Sequence, residues 1–470
     1  MKLLALALFS LAGAALAADL NGAGDLSMRP LMDAWMDALH ESKPDLKRGP
    51  LWRFVEGGSP FGALMFEAAD LAPLARKPVA AELAPYAHQF AGDMMKAPLL
   101  VRVAGTDDRP AYIAVNKRPD SPLPPQVKEF LEFALSPAGQ RIVSANGTFS
   151  PLDSAGVAAE RAKLQGFLAP LDPDLQPYKA RSPVSGEINS VGSDGMKTLM
   201  DRWMRDFRRA QPGVRKGERW EHLGTLNGFH ALVAGETDLA PMGRELWPAE
   251  AAVYQAEHER NTPLEIRVAR GGFNTPQRTT AQAIFVNERN PLDRITVSQL
   301  AAIFAQPRTL TRWGQLGLEG EWAQRPIEIR MPPRVAPNAM SMQAMVLNGN
   351  AWADGAREGS IADTAAAIAK EPGAIGFGGV EEGGPGLKAL AVATQDSGPF
   401  WEANALNAAT GRYPLTRYMY IRLDGSRKLP VHVREFLRYI LSREGQEPIL
   451  YSGYFPLSAR EAQEELAKLD

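Results

Sequence analysis

Cysteine is absent from the 470-residue sequence, which excludes disulfides, a zinc-thiolate site, a cysteine nucleophile and a lipid anchor on an N-terminal cysteine. Stability must come from packing. An excess of either charge is also missing, because 52 Lys and Arg stand against 54 Asp and Glu, a formal net charge of -2 at pH 7. Without a global basic field the chain is not built to hold nucleic acid or an anionic membrane surface. Any anion it binds must be captured by local geometry. Long apolar runs are scarce as well. One follows Lys2, spans Leu3 to Leu16 and closes on Ala15-Leu16-Ala17, the small-x-small pattern of a secretory signal peptide. It is shorter than the ~20 residues that a bilayer requires. The expectation is a signal peptide over residues 1–17 and an exported, periplasmic mature chain with no lipid anchor.

Catalytic signatures are equally sparse. The six His residues form no HExxH or other close metal spacing, and no Gly-x-Ser-x-Gly elbow or phosphate-loop Lys motif occurs. Neither a metal, a cofactor nor an enzymatic activity is expected.

What the chain does have is length and an internal repeat. With 470 residues, 45% hydrophobic and 23% charged, it calls for two or three domains. At an offset of 168, Gly24 to Arg76 aligns without a gap on Gly192 to Arg244, with 18 identities in 53 pairs. The anchors include Leu31-Met32-Asp33 and Trp35-Met36 against Leu199-Met200-Asp201 and Trp203-Met204, and Asp70-Leu71-Ala72-Pro73 against Asp238-Leu239-Ala240-Pro241. Such self-similarity reads as duplication.

A second block, Glu129-Phe130-Leu131 with Gly139-Gln140, matches Glu435-Phe436-Leu437 with Gly445-Gln446 at a different offset. The interval from Arg76 to Tyr112 is 36 residues, whereas Arg244 to Tyr420 spans 176. The excess has the size of a domain. The second copy therefore carries an inserted lobe, entered and left by two chain crossings, which is the architecture of a hinged clamp. The expected division is 18–170 for a degenerate first copy and 171–186 for a Pro-rich linker. Lobe one of the binding domain is then 187–278 plus 416–470, and lobe two is 279–415.

Within each copy strands alternate with helices. Met196, Leu199, Met200, Trp203, Met204 and Phe207 fall on one helical face. Gln282 to Val286 and Tyr418 to Leu423 read as strands, and Ser298 to Phe304 and Val433 to Leu441 as helices. The pattern predicts α/β lobes with largely parallel sheets. Two Gly-bounded loops feed helix starts, Gly192-Ser193-Asp194-Gly195 and Gly224-Thr225-Leu226-Asn227-Gly228. The free N–H groups and dipole of a helix start favour an anion, although a Ser193 or Asp194 N-cap would account for the first loop by itself.

At this point the sequence resembles the phosphate-specific periplasmic substrate-binding proteins of ABC importers, a type II periplasmic binding fold. The likeness rests on Gly192-Ser193-Asp194-Gly195-Met196, Gly224-Thr225 with Gly228, and Thr237-Asp238-Leu239-Ala240-Pro241-Met242-Gly243-Arg244. It continues through Thr296-Val297-Ser298-Gln299-Leu300, Pro372-Gly373-Ala374-Ile375-Gly376-Phe377 and Gly453-Tyr454-Phe455-Pro456-Leu457. The resemblance implies a dehydrated phosphate or related oxyanion held by backbone N–H groups, hydroxyls and an Arg, and delivery to an inner-membrane ABC permease. By position Ser193, Asp194, Gly195 and Thr225 would be ligands, with Asn227 and Arg244 beside them. The family's Ser-Gly-Thr turn in the second lobe is replaced here by Arg330 to Ser341, where Arg330 or Arg334 would supply a guanidinium and Asn338 or Ser341 a neutral donor.

The first copy keeps Gly24-Asp25-Leu26-Ser27 but carries Glu56-Gly57-Gly58-Ser59-Pro60 where an anion would sit. Three functions stay open: a receptor that captures phosphate or a similar oxyanion, a structural or regulatory periplasmic protein that keeps the fold without the ligand, and a hydrolase of phosphate esters, for which the sequence offers no nucleophile and base.

Overall fold

The computed structural model describes residues 19–56, 61–90, 97–118, 121–273 and 279–469. The expected signal peptide and residues 57–60 of the acidic first-copy loop lie outside the described residues. The described residues up to 118, together with 122–166, form one compact unit, while Ser121 and 167–469 form another.

In the first unit, β1 (Asp19–Asp25) and β2 (Lys47–Val55) run parallel, and β3 (Ala72–Leu74), β5 (Pro110–Val115) and β4 (Leu99–Gly105) follow in antiparallel order. A parallel bridge from Gly22 to Leu71 joins the two groups. The spatial order is thus β2-β1-β3-β5-β4. Leu31, Met32, Trp35, Met36 and Leu39 bury one face of the helix Arg29–Ser42 against this sheet's core.

The second unit repeats that order around its first core. Strands β6 (Ser185–Gly192) and β7 (Gly213–His222) are parallel, a bridge links Ser190 to Leu239, and β8 (Ala240–Met242) and β9 (Leu264–Arg270) flank the later β17 (Tyr418–Leu423). The helix Lys197–Ala210 forms as its periodicity predicts, with Leu199, Met200, Trp203, Met204 and Phe207 buried. It stops at Gln211, whose side chain receives the Val184 N–H and donates to the Ser182 carbonyl. Pro212 follows and cannot continue a helix.

A second core fills residues 281–415. Its sheet is β13-β12-β14-β10-β15, formed by β10 (Gln282–Asn287), β12 (Glu328–Met331), β13 (Arg357–Glu358), β14 (Ala374–Gly379) and β15 (Leu387–Ala389). A side ribbon pairs β11 (Arg294–Thr296) with β16 (Ala391–Ala393). The sheets are mixed, not largely parallel. β10 and β17 follow the two chain crossings between the cores, and each enters its sheet antiparallel to its neighbours.

Several side-chain bonds recur in both units. Trp35 Nε1 donates to the Gly139 carbonyl at 2.9 Å and Trp203 Nε1 to that of Gly445 at 2.6 Å. Trp52 and Trp220 donate to Asp33 and Asp201, each at 2.8 Å. Gln140 and Gln446 each tie three backbone groups of their own unit. Residues 165–184 contain no helix or strand.

Candidate functional site

The first Gly-bounded loop leaves β6 and turns through a short 3-10 segment, Asp194–Met196, into the helix Lys197–Ala210. Gly192 and Gly228 must both be glycine, because a Cβ on Gly228 would stand 2.8 Å from the Gly192 Cα and one on Gly192 would stand 2.2 Å from the Pro241 carbonyl oxygen. That close approach seats the helix Thr225–Val233 on the loop, after Gly224 has turned the chain at φ 152°. Ser193 is buried, its N–H bonds the Pro241 carbonyl at 2.8 Å, and its side chain caps nothing. Thr225 opens its helix without a side-chain cap above it. The Ser193 N–H is thus taken, while no hydrogen bond among the described residues engages the Ser193 or Thr225 hydroxyl.

The corresponding loop of the first unit is closed. Asp25 Oδ1 accepts both the Ser27 N–H at 3.0 Å and the Ser27 hydroxyl at 2.9 Å. The Asp25 carboxylate thus caps its own loop.

Facing the Ser193 loop, the junction between the two cores gathers groups from several segments. Thr279 Oγ1 donates to the Gly243 carbonyl, and both Thr279 Oγ1 and Ser193 Oγ lie within 3.2–3.6 Å of where a Gly243 Cβ would be. Two residues on, Glu245 Oε2 accepts Ser341 Oγ at 2.5 Å and Arg417 Nη2 at 3.1 Å. Ser341 belongs to the helix Pro337–Met345 of the second core, and Arg417 to the second crossing. On the same side Asn338 donates to Glu382 at 3.1 Å, and Gln282 Nε2 to the Asn338 carbonyl at 2.8 Å.

Charge at the junction is uneven. Burial penalises ionised Glu245, but the adjacent Arg417 and the Ser341 bond outweigh it and hold the carboxyl below its usual range. Glu381 and Glu382 move the other way: burial raises both, and Glu382, with Glu381 beside it, is pushed up to about 7. Nearer the loop, burial holds His222 neutral, lowering its pKa to about 4, while Ser190 Oγ lies 3.0 Å from its Nε2.

The structure brings Ser193 and Ser341 to this junction, with Asn338 beside Glu382. It turns the three arginines elsewhere. Arg244 makes a two-pronged pair with Glu250 and lies 3.6 Å over the Trp247 ring. The first unit repeats this in Arg76 and Glu82. Arg330 is paired with Glu371 and Glu328, and Arg334 with Glu358 at 3.0 Å. Asp194 and Asn227 are exposed, and the Gly195 carbonyl accepts the Tyr454 hydroxyl at 3.2 Å. Sequence reasoning missed Arg417, Glu245, Glu381 and Gln282. The place of Arg417 two residues beyond Leu415, on the return crossing, was the available signal.

Two α/β sheets of one strand order, joined by two crossings with polar groups at the junction, define a binding protein of the periplasmic class. Residues 178–444 match the family model for the PBP superfamily domain, and the chain belongs to that family. Among individual proteins, the phosphate-binding protein PstS of Pseudomonas aeruginosa is 29% identical over 325 residues, covering 67% of this chain and 95% of the relative. Protein SphX of Synechococcus elongatus is 25% identical over 252 residues, covering 50% and 68%. Among solved structures, an ABC-type phosphate transport receptor from Vibrio cholerae aligns at 21% identity and TM-score 0.37, over 57% of this chain and 100% of its own. A possible phosphate-binding protein from Planctomyces limnophilus aligns at 21% identity and TM-score 0.35, over 61% and 98%.

Proposed function

We propose that this protein is a periplasmic receptor that captures phosphate or a related oxyanion and passes it to an ABC importer in the inner membrane. It acts by binding and carries out no catalysis. The observation that carries this reading is Arg417. Its guanidinium is buried at the junction, Glu245 engages one end, and the Nε atom has no hydrogen-bond partner among the described residues. A buried Arg with a spare donor suits an oxyanion stripped of water. The relatives named for phosphate binding support the choice of guest.

In this reading residues 187–278 with 416–470 form one lobe and 279–415 the other, and closure is driven by contacts from both at once. Ser193 and the start of the helix Thr225–Val233 would act from the first lobe, Ser341 and Asn338 from the second, and Arg417 from the hinge. The N-terminal unit would be a single-lobe copy with no guest of its own, because Asp25 fills its loop. Among the described residues no helix is long and apolar enough to cross a membrane.

One observation favours a second reading. Glu245 already sits on Arg417 and Ser341, so the carboxylate itself could be the resident anion of a receptor fold that no longer binds. Calorimetric titration with phosphate, arsenate and sulfate separates the two. Saturable heat with phosphate supports the receptor, and no heat and no shift in Tm with any oxyanion eliminates it.

A further inference from the structure

Toward the far end of the helix Lys197–Ala210 the second unit carries a groove of about 350 Å³. The helix has 14 residues and so runs about 21 Å from the Ser193 loop to its last turn. Arg205, Arg208 and Arg209 line the groove from the helix and Lys216 from β7, all four exposed. Arg205 and Arg209 share the Asp206 carboxylate at 3.0 and 3.5 Å, and Lys216 donates to Asp201 at 2.5 Å. Arg208 has no side-chain hydrogen bond or ion pair among the described residues. Four cations thus stand against two carboxylates, in a chain whose formal net charge is -2.

The internal repeat carries the same positions with other charges. At the offset of 168 residues, Asp201, Met204 and Pro212 of the groove match Asp33, Met36 and Pro44, and Lys216 matches Arg48. Trp220 and Trp52 brace the two copies alike, donating to Asp201 and Asp33 at 2.8 Å. The frame is therefore retained, but Arg205, Arg208 and Arg209 replace Asp37, His40 and Glu41. In the first unit a helix carboxylate satisfies the frame from within, because Arg48 donates to Asp37 Oδ1 at 2.5 Å. In the second unit the residue at that place is itself a cation.

The helix dipole favours cations in a last turn, but it does not demand these. The first copy's helix ends at Ser42 with Glu41 where Arg209 stands, and Arg205 precedes the last turn. Arg205 and Arg209 lie four residues apart, which sets them side by side on one helix face at about 5–6 Å. Carboxylates at i and i+4 of another helix have the same spacing, and a guanidinium grips a carboxylate with two parallel N–H donors.

We propose that this groove docks an acidic helix of a partner protein. Carboxylates at i and i+4 of that helix meet Arg205 and Arg209, and Arg208 takes a third. The partner thereby supplies from outside the carboxylate that Asp37 supplies to Arg48 within the first unit. The contact does not depend on the oxyanion reading, and it lies away from the Ser193 loop.

The test is fluorescence anisotropy of the full chain with a labelled helical peptide bearing Glu at i, i+4 and i+8, beside the same peptide with Gln in their place. Saturable binding of the Glu peptide alone is expected, weakening by about tenfold or more as salt rises from about 0.05 to about 0.5 M and screens exposed charges. The triple variant Arg205→Asp, Arg208→His, Arg209→Glu carries the first copy's own residues. It is expected to lose about tenfold or more in peptide affinity with its circular dichroism spectrum retained, and undiminished binding by the folded variant overturns the proposal. Tripolyphosphate and vesicles containing phosphatidylglycerol are titrated alongside. Binding of either without binding of the Glu peptide overturns the proposal, as does no peptide binding at the lower salt or equal binding of the Glu and Gln peptides. These last outcomes are read on the unaltered protein and stand even if the variant does not fold.

Discussion

Ser341 Oγ donates to Glu245 Oε2 at 2.5 Å, a bond that ties the helix Pro337–Met345 of the second core to the segment following β8 of the first. Arg417 joins the same oxygen from the return crossing at 3.1 Å. One carboxylate thus connects both cores and the return crossing. A positioned Arg loses less freedom on meeting an oxyanion than a mobile one.

Glu245→Gln removes the charge while keeping the shape. Phosphate affinity is expected to drop by about tenfold or more, corresponding to the ~1.5–3 kcal/mol of a charge-assisted bond, as read by isothermal titration. If Glu245 were instead the resident anion of a protein without a guest, the substitution would create oxyanion binding that the unaltered chain lacks.

Arg244 is engaged by its own segment. Its pair with Glu250 is buried and its guanidinium stacks on Trp247, so Arg244→Ala strands a buried carboxylate at a cost of about 3–5 kcal/mol. Thermal unfolding should show a drop of several degrees in Tm. Phosphate affinity measured well below that Tm should stay within about threefold of the unaltered protein, and a loss of tenfold or more would return Arg244 to the site.

Much of the fold was legible because its signals are local. The helix Lys197–Ala210 announces itself through Met196, Leu199, Met200, Trp203, Met204 and Phe207, and the strands Gln282–Asn287 and Tyr418–Leu423 through their apolar runs. The extra length between Arg244 and Tyr420 marks the second core. The site was less legible because arginines look alike in sequence. Arg330 finds Glu371 at a separation of 41 residues, and Arg417 finds Glu245 at 172. Only the fold places the Arg417 guanidinium beside Glu245 and Ser341. The direction of β10 and β17 was hidden for a similar reason, since a period-two pattern does not record which way a strand enters its sheet.

Stability should depend on pH through Glu382. Burial raises its pKa from 4.5 to about 7 in the folded chain, so between those values the folded state holds a proton that the unfolded state has released. Its contribution is complete below about pH 4.5 and is lost as pH rises through about 7, on the order of 1–3 kcal/mol. Denaturant unfolding of the unliganded protein and of Glu382→Gln should show the difference between them shifting across that window. A difference independent of pH would contradict the buried, protonated Glu382.

His222 acts in the opposite sense. Burial lowers its pKa from 6.5 to about 4, so stability present above about pH 6.5 is lost as pH falls through about 4, when the ring must take up charge without solvent. NMR titration of the ring should place its midpoint well below that of an exposed histidine. A midpoint at the ordinary value would show that the ring is not sealed beside Ser190.

The central claim, that the junction at Arg417 binds a small oxyanion, is tested most directly by titrating the full chain with phosphate and repeating the titration with Arg417→Met. One phosphate per chain is expected, with affinity reduced at least a hundredfold in the variant while its circular dichroism spectrum is retained. Undiminished binding in Arg417→Met, or no phosphate binding by the unaltered protein, would contradict the account.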